Sequence, residues 1–202
     1  MSGALRDEYR PGSKGIEQMN ILAISGSLRA ASSNTVLLRA MVNLVPDGVQ
    51  ISLYERLADI PPFNPDLDGD DVAEAVKDFR LQLQEADGVL ISSPEYAHGV
   101  PGVLKNALDW DVSSGGLYRK PLALIYASPR GTYAQAALTE ILNTMSARIV
   151  PEASATIELM GKKPDEINAY LSTPEMTAIL VGAIEIFISA IQTLCTTQAS
   201  LN

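Results

Sequence analysis

The chain has 202 residues, 47% of them hydrophobic and 19% charged, which suits one globular domain with a sizeable core. Its net charge of −9 excludes the basic surface that a nucleic-acid backbone requires, so any anionic ligand must be held by local groups. One cysteine, Cys195, and one histidine, His98, exclude an internal disulfide framework, a cysteine-ligated cluster and a histidine-rich metal centre, and fit a reducing cytoplasm.

Residues 1–18 are polar, carry no periodicity and lack the basic start and apolar stretch of a secretory signal. They are expected to form a disordered leader ahead of a single domain over residues 19–202. Ile21–Ile24 is an uninterrupted apolar run, as in a strand buried on both faces. A helical pattern follows from Thr35, with Leu37, Leu38, Met41, Leu44 and Val45 on one face, and Val49–Leu53 alternates as an edge strand. Pro61, Pro62, Pro65 and Gly69 mark Asp59–Asp71 as a loop. The aspartates there, Asp66, Asp68, Asp70 and Asp71, fail the calcium-loop spacing and read as solvation and helix capping.

A second helix is expected over Val72–Gln84, a buried strand over Gly88–Ser93, and a third helix beginning at Pro101 as its first residue. Leu122–Ala127 predicts a fourth strand, Tyr133–Met145 a fourth helix, and Arg148–Ile157 contains a fifth strand. The apolar segment Met176–Thr196 carries Glu185 at its centre, which disfavours a membrane span. Leu180, Ile184, Phe187, Ile191 and Leu194 form one stripe for packing on the sheet; Ile179, Ala183, Ile186 and Ala190 form a second, expected to meet another subunit. Alternating strands and helices predict an α/β fold: a flavodoxin-like three-layer sandwich whose five-stranded parallel sheet has the order 2-1-3-4-5.

Ligands of such a sheet sit beyond the carboxyl ends of strands one and three, where two informative loops fall. The first, Gly26-Ser-Leu-Arg-Ala-Ala-Ser-Ser-Asn34, offers a glycine for close approach, hydroxyls on Ser25, Ser27, Ser32, Ser33 and Thr35, and the charge of Arg29. Asn34 or Ser33 is expected to cap the helix, whose free N–H groups favour an anion. Neither G-x-G-x-x-G nor G-x-x-x-x-G-K-[ST] occurs, so a monophosphate suits the loop better than a triphosphate or dinucleotide. The second, Ser93-Pro-Glu-Tyr-Ala-His-Gly-Val-Pro-Gly-Val-Leu-Lys-Asn-Ala-Leu-Asp-Trp110, suits a flat ring. Phosphate plus ring points to a flavin nucleotide.

Together the two motifs resemble the NADPH-dependent FMN reductase family, which includes quinone, chromate and azo-dye reductases; the segment Ile60-Pro-Pro-Phe-Asn-Pro-Asp-Leu-Asp68 is similar to the family's proline-containing loop. The resemblance spans Asn20 to Ile157. It implies that Ser27, Arg29, Ser32, Asn34 and Thr35 hold the FMN phosphate, while Pro94, Glu95, Tyr96, Ala97, His98 and Gly99 lie along the ring and ribityl chain. His98 is read as a positioning residue rather than an acid–base group, and Lys105, Asn106, Asp109 and Trp110 as scaffold. After the fourth strand the family carries paired glycines; this chain has Ala127-Ser-Pro-Arg-Gly-Thr-Tyr133, where Ser128, Arg130 and Gly131 remain able to contact the flavin edge.

The resemblance implies an oxidoreductase with FMN as cofactor and NADPH or NADH as donor. Hydride would pass through the flavin N5 to a small-molecule acceptor (a flavin, quinone, azo compound or chromate), with no protein catalytic dyad and no metal. It also implies a homodimer or homotetramer with neither nucleic acid nor membrane as partner. A flavodoxin-type electron carrier and a flavin-binding regulatory module are the alternatives, the second kept open by the altered Ser128–Thr132 loop.

Overall fold

A computed structural model describes residues 18–69 and 71–199. The expected leader lies outside the described residues apart from Gln18, as does Asp70. Among them are six strands, β1 (Met19–Ser25), β2 (Val49–Tyr54), β3 (Gly88–Ser92), β4 (Pro121–Tyr126), β5 (Arg148–Ile149) and β6 (Ala155–Thr156). The α-helices are α1 (Ser33–Val42), α2 (Glu74–Glu85), α3 (Gly102–Asp111), α4 (Thr132–Thr144), α5 (Pro164–Leu171) and α6 (Pro174–Ala199). The strand order is β2-β1-β3-β4-β5 with every pair parallel, the expected flavodoxin-like arrangement.

The register aligns Ile21 with both Ile51 and Gly88, and Ser25 with Ser92, so β1 and β3 end level. Alternate side chains divide the core. Leu22, Ile24, Val89, Ile91, Leu122 and Leu124 pack under α2, α3 and α4. Ile21, Ala23, Leu90, Ala123 and Ile125 pack under α1, α5 and α6.

The fifth strand is broken in two. Arg148 and Ile149 pair with Pro121 and Leu122, whereas Ala155 and Thr156 pair with Ile125 and Tyr126. A 3-10 turn at Pro151–Ala153 takes up the extra length, because proline has no N–H to give a ladder. Ser154 fills the gap: its Oγ accepts the Leu124 N–H at 3.1 Å.

The helix starts lie one or two residues from expectation, α1 at Ser33, α4 at Thr132 and α6 at Pro174, and at two others the cause is visible. Pro101 is the residue before α3, with extended backbone, and its carbonyl accepts from Leu104 and Lys105. Likewise α2 begins at Glu74, since Ala73 serves as its cap and Val72 docks, buried, ahead of the first turn.

In α6, Leu180, Ile184, Phe187 and Ile191 are buried. The helix is apolar and long enough over Pro174–Leu194 to cross a membrane by composition, yet it sits on the sheet. A Cβ on Gly88 would come within 2.6 Å of Ile191 Cδ1 and 2.9 Å of Phe187 Cζ, so only glycine lets the helix approach β3 this closely. In the second stripe Ala183 is buried, while Ile179 and Ile186 are 43% and 44% exposed.

Candidate functional site

A cavity of about 370 Å³ opens beyond the carboxyl ends of β1, β3 and β4, within the size range of small-molecule and cofactor sites. The β1 loop begins with a close contact. Gly26 donates its N–H to Ser92 O at 2.8 Å, and a Cβ on it would lie 2.5 Å from Ser93 Oγ. Beyond it, Ser27 Oγ accepts the Arg29 N–H at 3.3 Å, and Ser32 N–H bonds Arg29 O at 3.1 Å, which sets the loop's curvature.

The cap of α1 is Ser32, not Asn34 or Ser33. Ser32 Oγ accepts the Thr35 N–H, and its carbonyl accepts from Val36. Asn34 lies inside the first turn, where its Oδ1 accepts from the buried Ser92 Oγ at 2.9 Å and ties α1 to β3. Thr35 Oγ1 pairs with Ser25 Oγ at 2.8 Å. The N–H groups of Ser33 and Asn34 find no acceptor among the described residues. The guanidinium of Arg29 is exposed and forms no ion pair among them. Free helix N–H groups and a free guanidinium form a cradle that fits a phosphate, while Gly26, expected to give close approach to it, lies outside the cavity lining and is needed for packing on Ser93 and Leu104.

Ser27, Arg29, Ser32 and Asn34 line this cavity with Pro94, Glu95, Tyr96, Ser128, Arg130 and Gly131. Ten of the expected site residues are thus brought together. Four others do not line it: Thr35 is occupied with Ser25, and Ala97, His98 and Gly99 form the turn behind Tyr96. In that turn Tyr96 N–H bonds Gly99 O at 3.1 Å and Gly99 N–H bonds Tyr96 O at 3.0 Å. Ala97 and His98 both have left-handed backbone, φ 49° and 58°, the geometry of a type I′ turn. Outside glycine this conformation is costly. The His98 ring stacks on Tyr133, centroids 4.2 Å apart and planes 16° from parallel, so the histidine braces the β3 loop against α4.

A second brace is Glu95. Its Oε2 accepts the Ala134 N–H at 2.8 Å, capping the first turn of α4. The β4 loop is short and held: Ser128 Oγ accepts the Arg130 N–H at 3.2 Å, and Gln135 Nε2 donates to Ser128 O at 3.4 Å. Gly131 lies against Glu95 of the β3 loop, with room for a Cβ at ordinary contact distance, 3.5 Å from Glu95 Cβ. Like Arg29, Arg130 is exposed and has no ion-pair partner among the described residues.

Gln135 and Met160 also line the cavity and were not foreseen. Gln135 lies on the first turn of α4, a position legible once that helix start is known. Met160 reaches the cavity through tertiary pairing: Ile157 N–H bonds Tyr126 O and Leu159 N–H bonds Ala127 O, which runs the chain parallel to β4 and past its carboxyl end.

The Asp-Trp end of the second motif serves the scaffold. Asn106 Oδ1 accepts the Phe63 N–H at 2.7 Å and its Nδ2 donates to Pro61 O at 2.9 Å, while Trp110 Nε1 donates to Pro61 O at 2.8 Å. Phe63 meets the Trp110 ring edge-on at 5.0 Å, and Lys105 pairs with Asp109. Asp68 binds Arg80 at 2.8 Å and Ser113 at 2.6 Å. The Ser113 hydroxyl, with the Arg80 guanidinium, holds the Asp68 carboxyl below the usual carboxylate range. Asp111 is buried, and desolvation raises its carboxyl despite hydrogen bonds from Ser114, Gly116 and Leu117. Among the described residues no cluster of metal-ligating side chains occurs.

The NADPH-dependent FMN reductase family profile matches residues 19–160. Over 156 residues the chain is 36% identical to the NADH:(hydroxy)cinnamate reductase subunit CrdA of Vibrio ruber, covering 74% of this chain and 75% of that one. It is 42% identical over 94 residues to an NAD(P)H-dependent FMN reductase of Pseudomonas aeruginosa, across 46% of this chain and 50% of the relative's length. In three dimensions it is similar to FerB, a flavoenzyme NAD(P)H:acceptor oxidoreductase from Paracoccus denitrificans, with a TM-score of 0.70 and 25% identity over 87% of this chain and 98% of that one. On the length of the family match, carried by the same strands and loops that build the cavity, the chain belongs to the NADPH-dependent FMN reductase family.

Proposed function

We propose that the protein is an FMN-dependent NAD(P)H oxidoreductase that reduces a small acceptor of the flavin, quinone, azo or chromate type. The single observation that carries this reading is the phosphate cradle, Arg29 with the free N–H groups of α1, opening into the same cavity as Pro94–Tyr96. When bound, FMN would supply the electron chemistry, hydride acceptance from NAD(P)H at the flavin N5 and reduction of the acceptor.

The chain's own part is binding and alignment. Arg29 and the first turn of α1 hold the phosphate, with Ser27 and Ser32 shaping the loop around it. Pro94, Glu95 and Tyr96 form the wall for the ring, and the exposed Tyr96 borders its mouth. The Glu95 cap on α4 and the His98–Tyr133 stack keep the two ring-side loops in register. Alignment of two stacked rings is what hydride transfer needs most. Membership of a reductase family favours this reading over an electron carrier or a regulatory module.

On this reading the enzyme works in the cytoplasm as a homodimer or homotetramer, with the exposed Ile179 and Ile186 of α6 covered by a second copy. The test is NADPH and NADH oxidation by the purified protein with FMN and menadione present. Saturable, FMN-dependent turnover is expected. A colourless protein that gains no such activity when FMN is added contradicts the proposal.

A further inference from the structure

We infer that Arg130 selects the electron acceptor, favouring acceptors that carry an ionised oxygen group, such as a hydroxyquinone or an aryl carboxylate, over neutral analogues. The inference rests on the reading of the cavity as the FMN site.

The cavity lining holds two guanidinium groups, Arg29 and Arg130, and one carboxylate, Glu95. Glu95 is committed to the Ala134 N–H, and neither arginine has an ion-pair partner among the described residues. The two cations stand on different loops. Arg29 follows β1 and Arg130 follows β4, with β3 between them, so their loops leave the sheet two strand spacings apart, roughly 10 Å. Arg29 and the α1 N-terminus already provide for one phosphate. Arg130 is a second, separate anion contact.

Its place indicates what it meets. The turn that carries it is fixed by the Ser128 hydroxyl, and the neighbouring Gly131 packs against Glu95 in the ring wall. A ring held along that wall therefore has the loop that carries Arg130 beside it, and Arg130 lines the same cavity. The extra phosphate of NADPH is at the adenosine end of the molecule, far from the nicotinamide that must reach the ring. An acceptor brings its own substituents to the ring directly. With a net charge of −9 the protein's overall field repels anionic acceptors, so one that binds needs a local cation. A guanidinium gives an ionised oxygen pair two parallel, charge-assisted hydrogen bonds.

The test compares kcat/KM for lawsone, a hydroxynaphthoquinone anionic at neutral pH, with that for menadione, its neutral methyl analogue. Wild type, Arg130→Ala and Arg130→Lys are assayed as FMN-loaded enzymes, with NADH and with NADPH. In Arg130→Ala the lawsone-to-menadione ratio falls about tenfold or more; in Arg130→Lys, which keeps the charge without the planar fork, it falls less. An unchanged ratio in both variants overturns the inference, including the case in which both acceptors slow equally because Arg130 acts on the reduced flavin. A loss seen with NADPH and not with NADH, at unchanged acceptor ratio, assigns Arg130 to the donor phosphate and overturns it as well. Wild type that turns over menadione while the variants keep the ratio leaves the FMN reading standing; wild type that neither binds FMN nor oxidises NAD(P)H overturns both.

Discussion

Arg29 has no ion-pair partner among the described residues although an acidic chain surrounds it, which is the arrangement of a cation reserved for a ligand. Arg29→Ala should weaken FMN binding about tenfold to a hundredfold, the range for loss of a charge-assisted contact, as read by quenching of flavin fluorescence. Unchanged affinity would place the phosphate elsewhere. Ala97 offers a second residue-scale test. Its φ of 49° is a conformation in which alanine is strained and glycine is not, so Ala97→Gly should raise stability by up to about 1 kcal/mol in chemical denaturation. At this scale residue types were legible and their partners were not. The sequence placed Asn34 in the phosphate loop, but its bond to Ser92, 58 positions away, depends on the register of β1 with β3. Capping passed to Ser32 because Asn34 is turned inward towards that strand. Met160 carried no signal at all, since only the pairing of Ile157 and Leu159 with β4 brings it to the cavity.

Among the elements, the proline loop and α3 form one unit through Asp68, Arg80, Ser113 and Asn106. Asp68 has its carboxyl pKa lowered by the Ser113 hydroxyl and Arg80. A carboxyl depressed on folding stabilises the native state above its unfolded pKa, about 4, and that stabilisation is lost as pH falls through the lower folded value. Asp68→Asn should therefore cost about 1 kcal/mol at neutral pH, and the difference in Tm from wild type should shrink below about pH 4. A difference that stays constant with pH would show that the carboxylate's charge is not what holds the loop. Elements with a single strong signal were legible: β1, β3 and β4 are apolar runs buried on both faces. The fifth strand was not resolved into β5 and β6, because the break is a compensation by Ser154 that periodicity cannot reveal. Helix α5 was missed because it is short and buries only Ile167 and Leu171, too few for a stripe, although Pro164 and Glu166, whose Oε2 accepts the Lys163 N–H at 2.8 Å, mark its start.

At the scale of the molecule, α6 buries one stripe and leaves Ile179 and Ile186 facing outwards. If a second copy covers them, replacing both with glutamate should shift the particle towards monomer in light scattering without unfolding it, as neither side chain belongs to the buried core. An unaltered oligomer would remove α6 from the interface. The topology, order β2-β1-β3-β4-β5, is legible in the alternation of elements and puts both ligand loops at one end of the sheet. The central claim is that this end of the sheet binds FMN and passes electrons from a nicotinamide to an acceptor. Its most direct test is anaerobic stopped-flow spectroscopy of the FMN-loaded protein, mixed first with NAD(P)H and then with menadione. Bleaching of the bound flavin's visible absorbance is expected in the first step and its full return in the second. Bound flavin that stays oxidised in the presence of NADH and NADPH would contradict it.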